Sequence, residues 1–196
     1  MSASSKILTI VVLFTLTLAY SLYEKNKFTE IDRMSAANPI LEAIPNFSLT
    51  EVYTNETVDQ QSIFAGSRGA LVHFWGTWCA PCEAELPEFL DLAKDLKEMG
   101  INVILLAVND DNGKIKKFLK RFGQLPENVK VVHDEKGELL NTFGTVKVPE
   151  TYLFGASGKN LNKFIGPQDW KLDSYKTRIL NYLSKDSTIP QKIETH

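Results

Sequence analysis

The stretch that decides the fold is residues 74–82, which read FWGTWCAPC. A short apolar run, residues 70–75, leads into it and is typical of a buried strand bounded by glycines. Residues 83–99 follow, where apolar side chains recur at helical spacing before a glycine that acts as a stop signal. The sequence therefore predicts a strand, a tight loop that carries the cysteines, and a helix with Cys79 at its N-terminus.

Cys79 and Cys82 are the 2 cysteines of the chain. A structural disulfide framework needs more cysteines at wider spacing, and a tetrahedral zinc site needs more ligands than this pair offers. The Cys-x-x-Cys spacing is instead typical of a redox pair. Unpaired N–H groups and the helix dipole favour a thiolate at a helix N-terminus, so Cys79 is the predicted nucleophile. Cys82, one turn on and facing inward, is then the resolving thiol, and Pro81 leaves no unpaired donor in the first turn.

The rest of the chain alternates strand-like and helix-like segments. The predicted strands are residues 47–50, 102–108, 129–133, 151–154 and 161–165. The predicted helices are residues 113–122, 138–143 and 170–183, the last beginning at Trp170. Strands that alternate with helices, followed by two adjacent strands and a helix, indicate an α/β domain with a mixed sheet covered by helices.

The N-terminus differs in composition from the rest. Residues 7–23 carry no charge and follow Lys6. The run is near the lower limit of about 17 residues for a membrane-spanning helix, and it also fits the apolar part of a cleaved signal peptide. Both interpretations export the domain. The predicted organisation is an anchor or signal at 1–23, a linker at 24–39, a globular domain at 40–184 and a polar tail at 185–196.

Composition excludes some classes of partner. The chain has ordinary globular composition, with 43% hydrophobic and 23% charged residues, and its net charge of −2 gives no basic field to attract nucleic acid. A run of lysine and arginine at residues 114–121 is interpreted as a solvated helix face, with a docking surface for an acidic partner as the alternative. We expect no cofactor and no resident metal.

These motifs resemble the thioredoxin superfamily. Residues 74–82 look like the thioredoxin active site, Pro87 matches the proline that kinks its helix, and Val148-Pro149-Glu150-Thr151 resembles its cis-proline loop. Within the superfamily, the chain is most similar to the TlpA/ResA/CcmG-like proteins. That narrower match depends on the apolar N-terminus, residues 44–49, the extra helix and strand between residues 110 and 134, and residues 166–170.

The resemblance implies a thioredoxin fold, a central mixed β-sheet flanked by helices, with an N-terminal extension and a helix-strand insertion. It implies a redox-active Cys79–Cys82 disulfide beside a cis Val148–Pro149 bond. Trp78, which precedes the nucleophile, is predicted to shape the substrate surface, with shielding of the thiolate as the alternative. The resemblance also implies a membrane-anchored, extracytoplasmic thiol-disulfide oxidoreductase on the periplasmic side of a bacterial inner membrane. Its expected partners are disulfides of exported proteins, apocytochrome c among them, and an upstream membrane thiol reductant.

The sequence departs from the superfamily pattern at two positions. His73 stands where thioredoxin has a buried aspartate, and Ala80 stands where some ResA-like proteins carry a glutamate between the cysteines. The proton that Cys82 loses therefore lacks its usual carboxylate acceptor. His73, Glu83 and Glu150 are the predicted substitutes. The alternatives are a neutral core histidine, a solvated helix carboxylate and a loop carboxylate, respectively.

The cysteine pair has two alternative interpretations. A thiol peroxidase needs a Pro-x-x-x-Thr-x-x-Cys surround, which this sequence lacks. A copper-binding thioredoxin-like module is chemically possible, because Cu(I) favours soft thiolates. The copper-carrying relatives use a wider cysteine spacing and a distal histidine, so a thiol-disulfide oxidoreductase is the preferred prediction.

Overall fold

The computed structural model describes Ser5, residues 12–22 and residues 41–186. The chain divides into two compact units, Met1–Ile40 and Leu41–His196. In the first, residues 12–22 are helical and their large apolar side chains are exposed. Among the described residues, no helix combines the length and the apolar character needed to cross a membrane. The predicted linker, the rest of the apolar run and the tail after Asp186 lie outside the described residues.

The second unit contains a five-stranded sheet and a separate two-stranded hairpin. The strands are β1 (Ser48–Thr50), β2 (Thr57–Asp59), β3 (Gly69–Trp75), β4 (Ile101–Val108), β5 (Val129–Asp134), β6 (Glu150–Gly155) and β7 (Asn160–Ile165). The helices are α1 (Gln60–Phe64), α2 (Ala80–Glu98), α3 (Asn112–Leu119), α4 (Glu138–Phe143) and α5 (Asp173–Ser184), with a 3₁₀ turn at Lys120–Phe122.

The sheet is mixed, in the order β5-β4-β3-β6-β7. Strand β3 pairs in parallel with β4 and antiparallel with β6, so it lies at the centre. Strand β4 pairs in parallel with β5, and β7 closes the other edge antiparallel to β6. The hairpin pairs β1 with β2. The predicted fold class, a mixed sheet covered by helices, is confirmed.

Strand β3 is buried along its whole length and contributes to both faces of the sheet. Because successive strand residues point to opposite faces, Leu71 and Trp75 pack in one hydrophobic cluster with α2, while Val72 and Phe74 pack in a second cluster with α1 and α4. The first cluster contains both cysteines. The redox pair therefore lies over one face of the central strand.

Two helix predictions need correction at their ends. The last helix begins at Asp173 rather than Trp170, because Leu172 is extended and the Trp170 indole is engaged with a carboxylate of α2. The helix predicted for residues 113–122 ends at Leu119 and continues as the 3₁₀ turn. Strand β2 and helix α1 were not predicted, since segments of 3 and 5 residues show no clear periodicity.

Candidate active site

The two cysteines are joined by a disulfide, with their Cα atoms 5.3 Å apart. Cys79 is the N-cap of α2, and its sulfur accepts the backbone N–H of Cys82 at 3.3 Å. Cys79 is 5% exposed, whereas Cys82 is 0% exposed. A sulfur at a helix N-cap faces unpaired backbone donors, which favours the thiolate once the pair is reduced. Cys79 is thus both the more exposed cysteine and the one whose thiolate is favoured.

The loop before Cys79 is tied to the carboxyl end of β4. Thr77 donates its backbone N–H to Asp110 Oδ2 at 2.6 Å and its hydroxyl to Asp110 Oδ1 at 2.9 Å. The Trp78 indole donates to the Val108 carbonyl at 3.1 Å, while 55% of the side chain stays exposed. A Cβ at Gly76 would lie 2.5 Å from Trp78 Nε1, so the indole needs a glycine there. Asp110 was not among the predicted site residues, although it follows the strand that neighbours β3.

The Val148–Pro149 peptide bond is cis, as expected. Pro149 is buried, and its carbonyl accepts the N–H of Gly166 at 3.0 Å. Val148 is half-buried and packs against both hydrophobic clusters, including the one that contains the cysteines. The cis-proline loop therefore adjoins both clusters, one of which contains the cysteines.

His73 is 0% exposed and lies on β3 directly across from Thr151 of β6. Its Nδ1 is 2.8 Å from Thr151 Oγ1, and its ring stacks on Phe89 of α2 with centroids 4.4 Å apart. Burial lowers the pKa of His73 to about 3. The imidazole is therefore neutral at neutral pH, and its predicted role as proton acceptor remains a prediction.

Glu85 is a buried carboxyl that the sequence reasoning missed. It lies three residues after Cys82 on α2 and is 4% exposed. Its Oε2 accepts the Gln168 N–H at 2.7 Å and the Trp170 indole N–H at 3.1 Å. Burial raises the pKa of Glu85 to about 7, against the lowering effect of these two hydrogen bonds. A charged residue on the buried face of an amphipathic helix was the signal available in the sequence.

The second oxygen of Glu85 points toward His73. Glu85 Oε1 lies 3.7 Å from His73 Nε2, and neither atom has a hydrogen-bond partner among the described residues. Since the ring is neutral, this contact is not an ion pair. The residue one helical turn after Cys82 thus carries a carboxyl oxygen without a hydrogen-bond partner in the described part of the chain.

The other two predicted acceptors are already paired. Glu83 is a half-exposed side chain that binds Arg121 through an Oε1–Nη2 contact of 2.8 Å. Glu150 is 2% exposed and pairs with Lys163 at 2.8 Å, and burial raises its pKa while Lys163 lowers it. The structure thus brings His73 together with Glu85, whereas Glu83 and Glu150 are each paired with a cation.

No group of three or more histidine, cysteine, aspartate or glutamate side chains is arranged to hold a metal ion within residues 41–186 or the described N-terminal residues. The chemistry that the site offers comes from two thiols, a buried carboxyl and a neutral imidazole. The relation of this chain to known proteins agrees with that set of groups. Residues 41–179 match the family model described as Redoxin.

The chain belongs to the Redoxin family. Its matched region spans the sheet, the cysteine loop and most of the last helix. The "Thiol-disulfide oxidoreductase ResA" of Bacillus thuringiensis subsp. konkukian (strain 97-27) is 30% identical over 167 residues, covering 85% of this chain and 86% of the relative. The protein of the same description from Bacillus cereus (strain ATCC 10987 / NRS 248) is 31% identical over 142 residues, covering 72% and 75%.

Solved structures agree on the fold. A thiol:disulfide interchange protein of the thioredoxin family from Chlorobium tepidum TLS matches with a TM-score of 0.59 at 24% identity, covering 72% of this chain and 96% of the other. StoA from Bacillus subtilis matches with a TM-score of 0.55 at 22% identity, covering 71% and 98%. This Redoxin-family protein therefore has the expected thioredoxin fold, and its resemblance to ResA identifies it as a thiol-disulfide oxidoreductase.

Proposed function

We propose that this Redoxin-family protein reduces disulfides of exported proteins, with Cys79 as nucleophile and Cys82 as resolving thiol. The observation that carries the assignment is the position of Cys79, which caps α2 and is the more exposed cysteine. A thiolate is the attacking species in disulfide exchange, and a helix N-terminus stabilises it. Trp78, exposed beside Cys79, supplies apolar surface for the substrate chain.

The exchange runs in two steps that move two electrons. The Cys79 thiolate attacks one sulfur of the substrate disulfide, and the other substrate sulfur leaves as a thiolate that takes up a proton. The thiol of Cys82 then loses its proton, and its thiolate attacks Cys79 Sγ. The mixed disulfide breaks, the second substrate sulfur leaves and is protonated, and the Cys79–Cys82 disulfide forms. An upstream membrane thiol reductant returns the two electrons to the pair.

We assign Glu85 as the group that accepts the proton of Cys82. Both residues lie on the buried side of α2, three positions apart, which is neighbouring distance on a helix. Burial holds the pKa of Glu85 at about 7, where a carboxyl both accepts and releases a proton near neutral pH. Glu83 and Glu150 are less suitable, because each is already bound to a cationic side chain.

The cis-proline loop is proposed to hold the substrate. Pro149 has no N–H to donate, and Val148 lies against the cluster around the cysteines. In this proposal the backbone of Val148 pairs with an extended substrate segment beside Cys79. The cysteines of apocytochrome c, which lie close together in an extended chain, are the substrate that fits this geometry best.

Export and membrane attachment are further parts of the proposal. They are supported by residues 7–23, an apolar run without charge. A reporter fused after Leu183 is expected to be active outside the cytoplasm. An alkaline wash should leave the protein with the membranes, and its quantitative release would favour a cleaved signal instead.

Trapping experiments test the roles of the cysteines. In the Cys82→Ser variant, mixed disulfides with substrate should accumulate through Cys79. The Cys79→Ser variant should trap none, and the reverse pattern would overturn the assignment. The reduction potential tests the direction, with a value near thioredoxin's, about −270 mV, expected for a reductant and one near about −120 mV contradicting it.

A further inference from the structure

Three buried polar groups form a line beneath the cysteine helix. His73 Nδ1 lies 2.8 Å from Thr151 Oγ1 on one side, and His73 Nε2 lies 3.7 Å from Glu85 Oε1 on the other. Thr151 is 1% exposed, His73 0% and Glu85 4%. The line crosses from β6 through β3 to α2, because His73 and Thr151 are directly paired across the two strands. A polar chain that ends one turn from Cys82 is not required for packing alone.

We propose that Thr151, His73 and Glu85 form a relay in which the neutral His73 ring changes tautomer whenever Glu85 gains or loses a proton. The proposal rests on the exchange function above, where the proton comes from Cys82. His73 is a positioning residue in this scheme, since it acts on the thiol only through Glu85. The relay modifies the prediction from the sequence that His73 itself takes the proton of Cys82.

The His73 ring nitrogens each have a hydrogen-bond partner in both protonation states of Glu85. When Glu85 is a carboxylate, His73 carries its hydrogen on Nε2, facing Oε1, and Nδ1 accepts the hydroxyl hydrogen of Thr151. When Glu85 is protonated, its O–H faces Nε2, and Nδ1–H donates to Thr151 Oγ1. A threonine hydroxyl suits both states because it can donate or accept. A carboxylate or an amide N–H at this position would fit one state only.

The proton balance closes without an imidazolium. Cys82–SH, the Glu85 carboxylate and Nε2–H His73 become the Cys82 thiolate, the Glu85 carboxylic acid and Nδ1–H His73. One proton has moved from sulfur to the carboxyl. The ring loses the hydrogen on Nε2 and gains one on Nδ1 by exchange with water, so it carries one hydrogen in both end states. The charge of the His73–Glu85 pair changes from −1 to zero, and the reverse sequence returns the proton when the disulfide is reduced.

The surroundings favour this scheme over a charged pair. An imidazolium at His73 would be fully buried, and burial lowers the pKa of the ring to about 3. The contacts of the ring are with Thr151 on β6 and with Phe89 and Glu85 on α2, and none of these is a cation. Glu85 faces the neutral donors of Gln168 and Trp170, and Glu88 on its own helix raises its pKa further. A buried polar group without a hydrogen-bond partner is unfavourable, so a hydrogen bond to Nε2 stabilises protonated Glu85.

The relay requires a movement that brings Glu85 Oε1 closer to His73 Nε2. At 3.7 Å the Oε1–Nε2 separation is longer than a hydrogen bond. A side-chain rotation that brings the atoms closer by about 0.8 Å would reach ordinary hydrogen-bond distance. Phe89 holds the ring by stacking, so the movement falls on the glutamate side chain.

Nitrogen-15 spectra of the histidine rings in the full chain test the relay directly. Between about pH 5 and about pH 9, the protonated and unprotonated nitrogens of His73 should exchange places, with a midpoint at the pKa of Glu85 near 7. The ring should not become doubly protonated in that range. His133, whose Nε2 lies 2.8 Å from the Asp110 carbonyl, provides the internal reference and is assigned with His133→Gln.

Variants sharpen the measurement. Glu85→Gln should leave His73 in one tautomer at every pH. Thr151→Val should lower the pH at the midpoint of the tautomer change, because Nδ1–H then has no acceptor. Thr151→Ser keeps the hydroxyl and should leave that midpoint unchanged. A single His73 tautomer throughout in the unchanged protein, or formation of the imidazolium, would overturn the relay. If the His73 tautomer changes with pH but Cys82→Ser traps no substrate, the proposed function fails and the relay stands. If Cys82→Ser traps substrate but the tautomer does not change, the relay fails and the proposed function stands.

Discussion

Lys163 Nζ lies 2.8 Å from Glu150 Oε2 and donates to the Gly144 carbonyl at 2.9 Å. One side chain of β7 thus binds both ends of the segment that carries the cis Val148–Pro149 bond. Glu150 is 2% exposed and the Lys163 side chain 24% exposed, so the pair is largely removed from water. We interpret Lys163 as the residue that fixes the position of the cis-proline loop.

Replacing Lys163 by methionine should destabilise the protein by about 3 kcal/mol at neutral pH. The substitution leaves the Glu150 carboxylate buried without a counter-charge, which is more costly than losing the whole pair. Urea unfolding of the oxidised protein measures the change. The double variant Lys163→Met with Glu150→Gln removes the stranded charge and should recover most of the loss. Equal losses in the single and double variants would contradict this account.

We expect Asp110 to affect the reactivity of Cys79, although Asp110 lies outside the loop that precedes this cysteine. Asp110→Ala removes the acceptor of both the N–H and the hydroxyl of Thr77, two residues before Cys79. Misplacing a reacting group by about 1 Å can cost up to about 100-fold in rate, so we expect roughly a tenfold slower reduction of a disulfide peptide.

The controls for Asp110 separate the two hydrogen bonds. Asp110→Asn keeps a carbonyl oxygen for the Thr77 N–H and should lie between the alanine variant and the unchanged protein. Thr77→Val removes only the hydroxyl contact and should have the smaller effect. A full exchange rate in Asp110→Ala would show that the loop is held by other contacts.

Local pattern was sufficient to predict the strand, the loop and the helix around the cysteines. The apolar run of β3, the Cys-x-x-Cys spacing and the helical periodicity all lie within one continuous segment. The cis bond at Pro149 came from the resemblance of one short loop. The strand, the loop and the helix depend on neighbours in sequence, so a single sequence contains the information that predicts them.

Glu85 depends on partners that are distant in sequence. Its carboxyl is bound by Gln168 and Trp170, which reach it from the turn before α5, and it faces His73 across the gap between α2 and the sheet. Periodicity places Glu85 on the buried side of α2 but cannot show which groups meet it. The same reason applies to Lys163, whose two contacts cross from β7 to the far end of α4 and to β6.

The contribution of Glu85 to the stability of the protein should fall as the pH rises from about 4.5 to about 7. A carboxyl whose pKa is higher when folded than when unfolded binds its proton more tightly in the folded state. Its contribution is fully present below the unfolded pKa, about 4.5, and is lost as the pH rises through the folded value, about 7. The difference between these pKa values corresponds to about 3 kcal/mol as an upper limit.

Glu85→Gln removes this pH dependence while keeping an oxygen for the Gln168 and Trp170 donors. Relative to the unchanged protein, the variant should gain stability between about pH 4.5 and about pH 8, by up to roughly 3 kcal/mol. Urea unfolding of both oxidised proteins at several pH values gives the difference. Glu83→Gln is the matched control on the same helix, because its half-exposed pair with Arg121 contributes only about 0–1 kcal/mol. A difference between Glu85→Gln and the unchanged protein that stays constant with pH would mean that the carboxyl is ionised to the same extent before and after folding, and the raised pKa that suits Glu85 to the proton of Cys82 would be contradicted.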